Sequence, residues 1–257
     1  MGPGRAMVTG ASEGIGRALA LRLAQAGHQI TVVARNAARL QELQASLPAV
    51  AAGEHTALVA DLTAAAGLEQ VQAALRATPF ALLINNAGSG QFGDFAAVPM
   101  VQHQAVMRLN MDALVALAHT YLEQARSGDA LMNVSSVLAF LPLPQSAVYA
   151  ATKAFVTSFS EALWCEQRGR GVYVCDLCPG ITTTEFGRRA GQANMSESAP
   201  RMMVQTAAQV AEWAWRALEA RSQPTVLCGK LNLASVSVSR FLPRRTMVRL
   251  MGASRPS

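Results

Sequence analysis

Residues 6–16 read AMVTGASEGIG. A short apolar run gives way to a turn with glycines at 10, 14 and 16. An amphipathic stretch, IGRALALRLAQA (15–26), begins at once and stops at Gly27, a residue suited to a helix C-terminal cap. Strand, glycine turn and helix in that order open a parallel α/β sheet. Glycines at such a turn permit a tight reversal and let backbone N–H groups approach a pyrophosphate at the helix N-terminus. The spacing is G-x-x-x-G-x-G, not the common G-x-G-x-x-G. Taken alone it reads more readily as an ordinary turn, and its place after a first strand is what favours phosphate binding.

The alternation continues outward from that turn. QITVVAR is a continuous β-branched run, suited to a strand covered on both faces. A helix is expected near 37–46, a strand at HTALVA, a helix near 64–76 and a strand at ALLIN. One long helix is expected over about 100–126, a strand at DALMNVSS, a helix over 147–168 and a strand at VYVCDL. Residues 185–205 lack regular periodicity, 206–220 look helical, and TVLCG is a last strand. The pattern predicts an α/β fold: a single Rossmann-type, doubly wound parallel sheet with helices on both faces and right-handed crossovers. The expected layout is one domain over 1–230, with a substrate lid at about 185–205. A basic, partly apolar C-terminal extension follows over 231–257.

Composition narrows the class. Half the chain is apolar and 15% is charged, which supplies a large core. No apolar run reaches the ~18 residues of a membrane span, and the N-terminus lacks the apolar stretch of a signal peptide. Four cysteines among 257 residues do not form a disulfide framework, so a cytoplasmic setting is expected. The net charge of +6 is local: six basic residues and no acidic one follow from Lys230 onward, and the rest balances 16 against 16. A nucleic-acid binder would spread its basic residues over a docking face, so none is expected as partner.

The second strand ends in VVARN, with Arg35 and Asn36 and no carboxylate nearby. An acidic residue there would hold the ribose 2′-hydroxyl of NAD, whereas an arginine can pair with a 2′-phosphate. That points to NADP(H). The other reading of Arg35 is an exposed loop residue.

These residues together resemble the classical short-chain dehydrogenase/reductase family along most of the chain. TGASEGIG resembles its cofactor turn, which implies contacts from Gly10, Ser12, Gly14, Ile15 and Gly16. Asp61-Leu62 resembles its adenine contact, with the Asp61 side chain on the ring's amino group. The stretch NNAG, with Asn86, Ala87 and Gly88, resembles the segment that supports the sheet and lines the cofactor. Asn110 resembles the helix asparagine of the catalytic set. NVSS followed by YAATK matches the family's serine-to-tyrosine spacing when the serine is Ser136; Ser135 is its rival, and only spacing separates the two. CPGITTT resembles the PG…T segment. There Pro179, Gly180 and Ile181 would line the nicotinamide, and backbone at Ile181 with the Thr184 hydroxyl would hold its carboxamide.

YAATK places Tyr149 and Lys153 one helical turn apart on one face. Reducing a ketone puts negative charge on its oxygen, so a proton donor and an oxyanion partner are needed. A phenol of pKa about 10 is ill matched to neutral pH, and a nearby ammonium lowers it. Tyr149 is therefore the expected acid in reduction and base in oxidation. Lys153 is its tuner and the ligand of the nicotinamide ribose, and Ser136 orients the carbonyl. The resemblance implies that Asn110 holds a water linking Lys153 to solvent. Singly, each residue could be structural; jointly they read as an oxidoreductase. The rival class is a non-catalytic NADP-binding sensor or scaffold on the same fold.

Cys175 and Cys178 form C-x-x-C along a buried strand and read as small core residues. The four histidines show no ligand spacing, so no metal is expected. Phe92, Phe95, Phe140, Leu141, Leu143, Phe186, Met202 and Met203 would give an apolar mouth. The expected substrate is an apolar or bulky carbonyl or alcohol: an acyl, polyketide-like or steroid-like ketone. The basic tail reads as a contact for an acyl carrier protein, as a membrane-surface contact, or as a solvated segment packed on the body. The family often forms homodimers or homotetramers through the long helices.

Overall fold

The computed structural model describes residues 2–192, 195–239 and 241–253. Arg240 and Arg255 of the basic tail, and residues 193–194 of the expected lid, lie outside the described residues. In chain order the elements begin with β1 (Arg5–Thr9), α1 (Gly14–Gln25), β2 (Gln29–Ala34), α2 (Ala37–Ser46), β3 (Thr56–Val59), α3 (Ala65–Ala77) and β4 (Leu82–Asn85). Next come α4 (Met100–Met107), a π-helical turn (Arg108–Ala113), α5 (Leu114–Gln124), β5 (Ala130–Val134), α6 (Ala147–Gln167) and β6 (Tyr173–Cys178). The last part holds β7 (Thr182–Thr183), α7 (Phe186–Arg189), α8 (Met195–Ser198), β8 (Gln205–Thr206), α9 (Ala207–Ala220), β9 (Thr225–Leu227), α10 (Lys230–Ser239) and α11 (Arg244–Ala253).

Seven strands form one parallel sheet in the order β3-β2-β1-β4-β5-β6-β9. Strands β4, β5 and β6 are buried at every residue, as expected where helices cover both faces. Side-chain alternation splits the core in two. Ala6, Val8, Leu82 and Ile84 join α1 and α9 on one face, and Met7 and Leu83 join α3 and α5 on the other. Each fully buried leucine contributes roughly 1.5–3 kcal/mol. A capping box of Thr206 and Gln209 starts α9.

The strand order turns back between β1 and β4, and ligands of open parallel sheets bind beyond the carboxyl ends of strands at such a point. Gly10–Gly16 follow β1, Arg35 and Asn36 follow β2, Asp61 and Leu62 follow β3, and Asn86–Gly88 follow β4. Ser136 follows β5, and Pro179–Ile181 follow β6. One edge of one sheet thus collects residues far apart in sequence.

Two expectations change. The single helix over 100–126 is interrupted by the π turn, which places Asn110 on a widened turn. The segment over 185–205 is short helices cinched at its base by a two-residue parallel ladder, Thr182 with Gln205 and Thr183 with Thr206. Within the stretch set apart as 231–257, α10 buries Asn232 and Val236 against the body and α11 buries Met247, while Leu233, Val238 and Phe241 stay exposed. Among the described residues no helix is long and apolar enough to cross a membrane.

Candidate functional site

The glycine turn is sterically committed. Gly10 and Gly14 have φ of 65° and 54°, in the left-handed region that favours glycine. A Cβ on Gly10 would lie 2.8 Å from Ala87 Cα. The turn is braced from β4: Asn86 Nδ2 donates to Thr9 O (2.9 Å) and Gly10 O (3.2 Å). Thr9 Oγ1 accepts the N–H groups of Asn86 and Ala87, each at 3.0 Å. The glycines thus let the turn close against the end of β4, and its backbone lines the cleft at the α1 N-terminus, where N–H groups can receive a pyrophosphate.

Arg35 is exposed at the end of β2, 4.0 Å from Asp61 Oδ2. Asp61 Oδ1 accepts from Thr63 N (2.9 Å) and Oγ1 (2.7 Å). Burial opposes ionisation of Asp61, but these bonds and Arg35 hold its carboxyl below the usual range. Asn36 caps α2 by accepting from Arg39 N at 3.0 Å.

A cleft of about 1520 Å³ runs from this region to the ends of β5 and β6. Every sequence-predicted site residue lines it except Asn110. Asn110 is wholly buried. It exchanges hydrogen bonds with the backbone of Ser89, 2.9 Å each way, and donates to Thr152 Oγ1 at 3.0 Å.

On α6, Tyr149 and Lys153 are both buried. Ser136 lies close enough to the Tyr149 phenol to act against its upward shift, and its Oγ accepts from Leu138 N at 3.2 Å. Ser135 instead turns its hydroxyl to Asp176 Oδ2 at 2.8 Å. Lys153 Nζ lies 5.7 Å from the Tyr149 ring centroid and donates to Val134 O at 2.9 Å. A Cβ on Gly88 would approach both Nζ and Asn110 Oδ1 to 3.3 Å, so glycine admits these two side chains side by side.

Here the electrostatics depart from expectation. Burial pushes the phenol up to about 12, with only Ser136 pulling it back. Burial also pushes the Lys153 amine down to about 8, against the pull of Asp176 and Cys178. Desolvation therefore sets the direction of the phenol's shift, opposite to the lowering expected from a neighbouring ammonium.

Phe92, Leu141, Leu143, Phe186 and Met203 line the cleft. Phe95, Phe140 and Met202 are not among its lining residues: Phe95 stacks on His103 at 4.9 Å, and Met202 is largely exposed. The Phe186 ring lies 5.4 Å from that of Tyr149 and covers it.

Four features were not anticipated. Glu13, within the glycine turn, forms ion pairs with Arg39 of α2 and Arg189 of α7. Phe186 covers the phenol. Asn232 of α10 packs on Gly180, where a Cβ would meet its side chain at 2.2 Å. Asp176 is fully buried behind Ser135; the lone acid in YVCDLC was its signal. Among the described residues no group of three His, Cys, Asp or Glu side chains could hold a metal ion.

A family model described as short chain dehydrogenase matches residues 5–194. Sulfoacetaldehyde reductase 2 of Chromohalobacter salexigens is 35% identical over 187 residues, covering 70% of this chain and 73% of that protein. A short-chain dehydrogenase from Sphingobium yanoikuyae, solved with NADPH, is 31% identical with a TM-score of 0.81, covering 94% of this chain and 96% of that one. The bulky-bulky ketone specific alcohol dehydrogenase from Comamonas testosteroni is 27% identical with a TM-score of 0.75, covering 93% and 95%.

Proposed function

The chain belongs to the short-chain dehydrogenase/reductase family, and as an oxidoreductase of that family we propose that it is an NADPH-dependent reductase of apolar or bulky ketones. The observation that carries this reading is the meeting of Ser136, Tyr149 and Lys153 in one cleft with the glycine turn, and with an arginine at the end of β2.

NADPH, when bound, supplies the hydride. Tyr149 gives its phenolic proton to the carbonyl oxygen, and its high pKa keeps that proton available at neutral pH. Ser136 hydrogen-bonds the same oxygen. Lys153 holds the ribose hydroxyls and adds positive charge beside the forming alkoxide. Asn110 fixes the backbone at Ser89 and so the strip beside Gly88; a water on it would carry protons from Lys153 to solvent. The Gly10–Gly16 turn takes the pyrophosphate and Asp61 the adenine. Pro179–Ile181 and Thr184 take the nicotinamide carboxamide.

Arg35 pairs with the 2′-phosphate. Arg35→Ala is expected to raise the KM for NADPH about 10- to 100-fold, the worth of one charge-assisted hydrogen bond, with NADH kinetics unchanged. An unaltered NADPH-to-NADH ratio would refute the assignment.

The apolar wall of Phe92, Leu141, Leu143 and Met203 supports the substrate class. It also suits the exposed apolar and arginine residues of α10 and α11, which we read as a contact for an acidic acyl carrier protein or an anionic membrane surface. On the opposite flank Phe155 and Phe159 stack on α6 beside α5, and we read these helices as the seam of a homodimer or homotetramer. Initial rates of NADPH oxidation over a panel of apolar ketones, acyl thioesters and small polar aldehydes test the reading. Turnover is expected with the apolar members, and a preference for the small polar ones would overturn the substrate class. Deleting residues 240–257 should weaken turnover of carrier-bound thioesters more than free ones; equal rates before and after would remove the carrier role.

A further inference from the structure

Asp176 stands in the middle of β6, a strand otherwise of apolar residues, tyrosine and cysteine, and is wholly buried. Three donors converge on its Oδ2: Ser135 Oγ at 2.8 Å, Thr157 Oγ1 at 2.6 Å and Cys178 Sγ at 3.0 Å. Its Oδ1 is buried with no hydrogen-bond partner. Each donor neighbours the reacting groups. Ser135 lies between Val134, whose carbonyl holds Lys153, and Ser136. Thr157 is one turn beyond Lys153 on α6. Cys178 precedes the Pro179–Ile181 turn.

Two hydroxyls and a thiol aimed at one oxygen suit a carboxylate that accepts all three hydrogens. A buried carboxylate also requires a compensating cation. The ionisable groups facing the Lys153 amine are Tyr149 from its own helix and Asp176 and Cys178 from β6. The π turn contributes neutral Asn110, the loop after β4 contributes Gly88, and the end of β5 contributes a carbonyl and two hydroxyls. Burial raises the Cys178 thiol well above its usual range, so it stays neutral. Asp176 is thus the acid placed to face a buried ammonium: burial pushes its carboxyl up, while Thr157, Cys178, Ser135 and the Lys153 ammonium pull it back toward the ionised form.

We propose that Asp176 is a positioning residue: its carboxylate ties the ends of β5, α6 and β6 together and keeps Lys153 cationic beside the phenol. Burial favours a neutral lysine, and the ammonium is what binds ribose hydroxyls as a donor and stabilises a forming alkoxide. This deepens the oxidoreductase reading, since it assigns a device that maintains the charge at Lys153.

The chain contains two lysines, Lys153 and Lys230. Protein labelled with 13C at lysine Cε therefore gives two resonances, and Lys230→Arg assigns them. The Lys153 signal is expected to titrate near pH 8 in the unmodified protein. Asp176→Asn keeps an acceptor and the shape but removes the charge. Its Lys153 midpoint is expected to fall by about one pH unit or more, a tenfold loss of proton affinity. Asp176→Ser, which keeps a hydrogen-bonding group for the three donors without the charge, should give the same fall if the asparagine variant folds poorly. The alkaline limb of NADPH affinity, followed by cofactor fluorescence, should move with that midpoint. An unchanged Lys153 midpoint in a folded variant would overturn the proposal. The titration needs neither substrate nor turnover, so it decides the role of Asp176 even if the oxidoreductase reading fails.

Discussion

Replacing Tyr149 by phenylalanine is expected to lower kcat/KM for carbonyl reduction by about 10²- to 10⁴-fold, equivalent to roughly 3–5 kcal/mol of transition-state stabilisation. The substitution removes one oxygen and little else. The aromatic ring keeps its packing under Phe186, 5.4 Å away, and Lys153 keeps its bond to Val134. Cofactor affinity should therefore persist while the proton source is gone. Fluorescence titration with NADPH, run beside initial rates, separates the two. Intact binding with the wild-type rate would mean that the proton comes from elsewhere, and the assignment of Tyr149 would fall.

The second large effect is expected at Gly16. A Cβ there would lie 2.3 Å from Gly10 O and 2.5 Å from Asn86 Nδ2. Neither neighbour can yield cheaply, since Asn86 is tied to the carbonyls of both Thr9 and Gly10. Gly16→Ala should cost about 1–3 kcal/mol through overpacking, lowering Tm by roughly 2–4 °C per kcal/mol in a chain of this size. Displacing the N–H groups of the turn should also weaken NADPH binding by about tenfold or more, the loss of one hydrogen bond to a charged group. Thermal melts with and without NADPH measure both. Gly169→Ala is the control, because a Cβ there meets nothing within 4 Å. Equal melting and binding in the two variants would show that the turn accommodates the methyl group.

Periodicity and glycine placement are local properties, and what depends on them was legible. The apolar runs between turns located the strands, and α2 falls where it was expected, at Ala37–Ser46. The residues assigned to the dinucleotide sit at the carboxyl ends of successive strands, so the order of elements carried their positions. What sequence concealed depends on burial and on partners distant along the chain. Lys153 lies one turn from Tyr149, as read, yet the sign of the phenol's shift follows from desolvation, which spacing does not report. The π turn around Asn110 leaves no compositional mark, because one extra residue in a helix looks like any other. Spacing already favoured Ser136 over Ser135, but what Ser135 does instead is visible only once Asp176, about forty residues on, is seen to engage it. The Glu13 pairs with Arg39 and Arg189 likewise join three segments that the linear order keeps apart.

The ladder between β7 and β8 has a bearing on how such a protein can diversify. Chain enters and leaves the region over the phenol through one narrow neck, where Gln205 N meets Ile181 O at 2.8 Å. Insertions, deletions or wholesale exchange between those two points alter the wall that a guest molecule meets while the strands beneath keep their register. On the proposed substrate side, the region is a cassette: selectivity can change there while the residues at the strand ends stay in place.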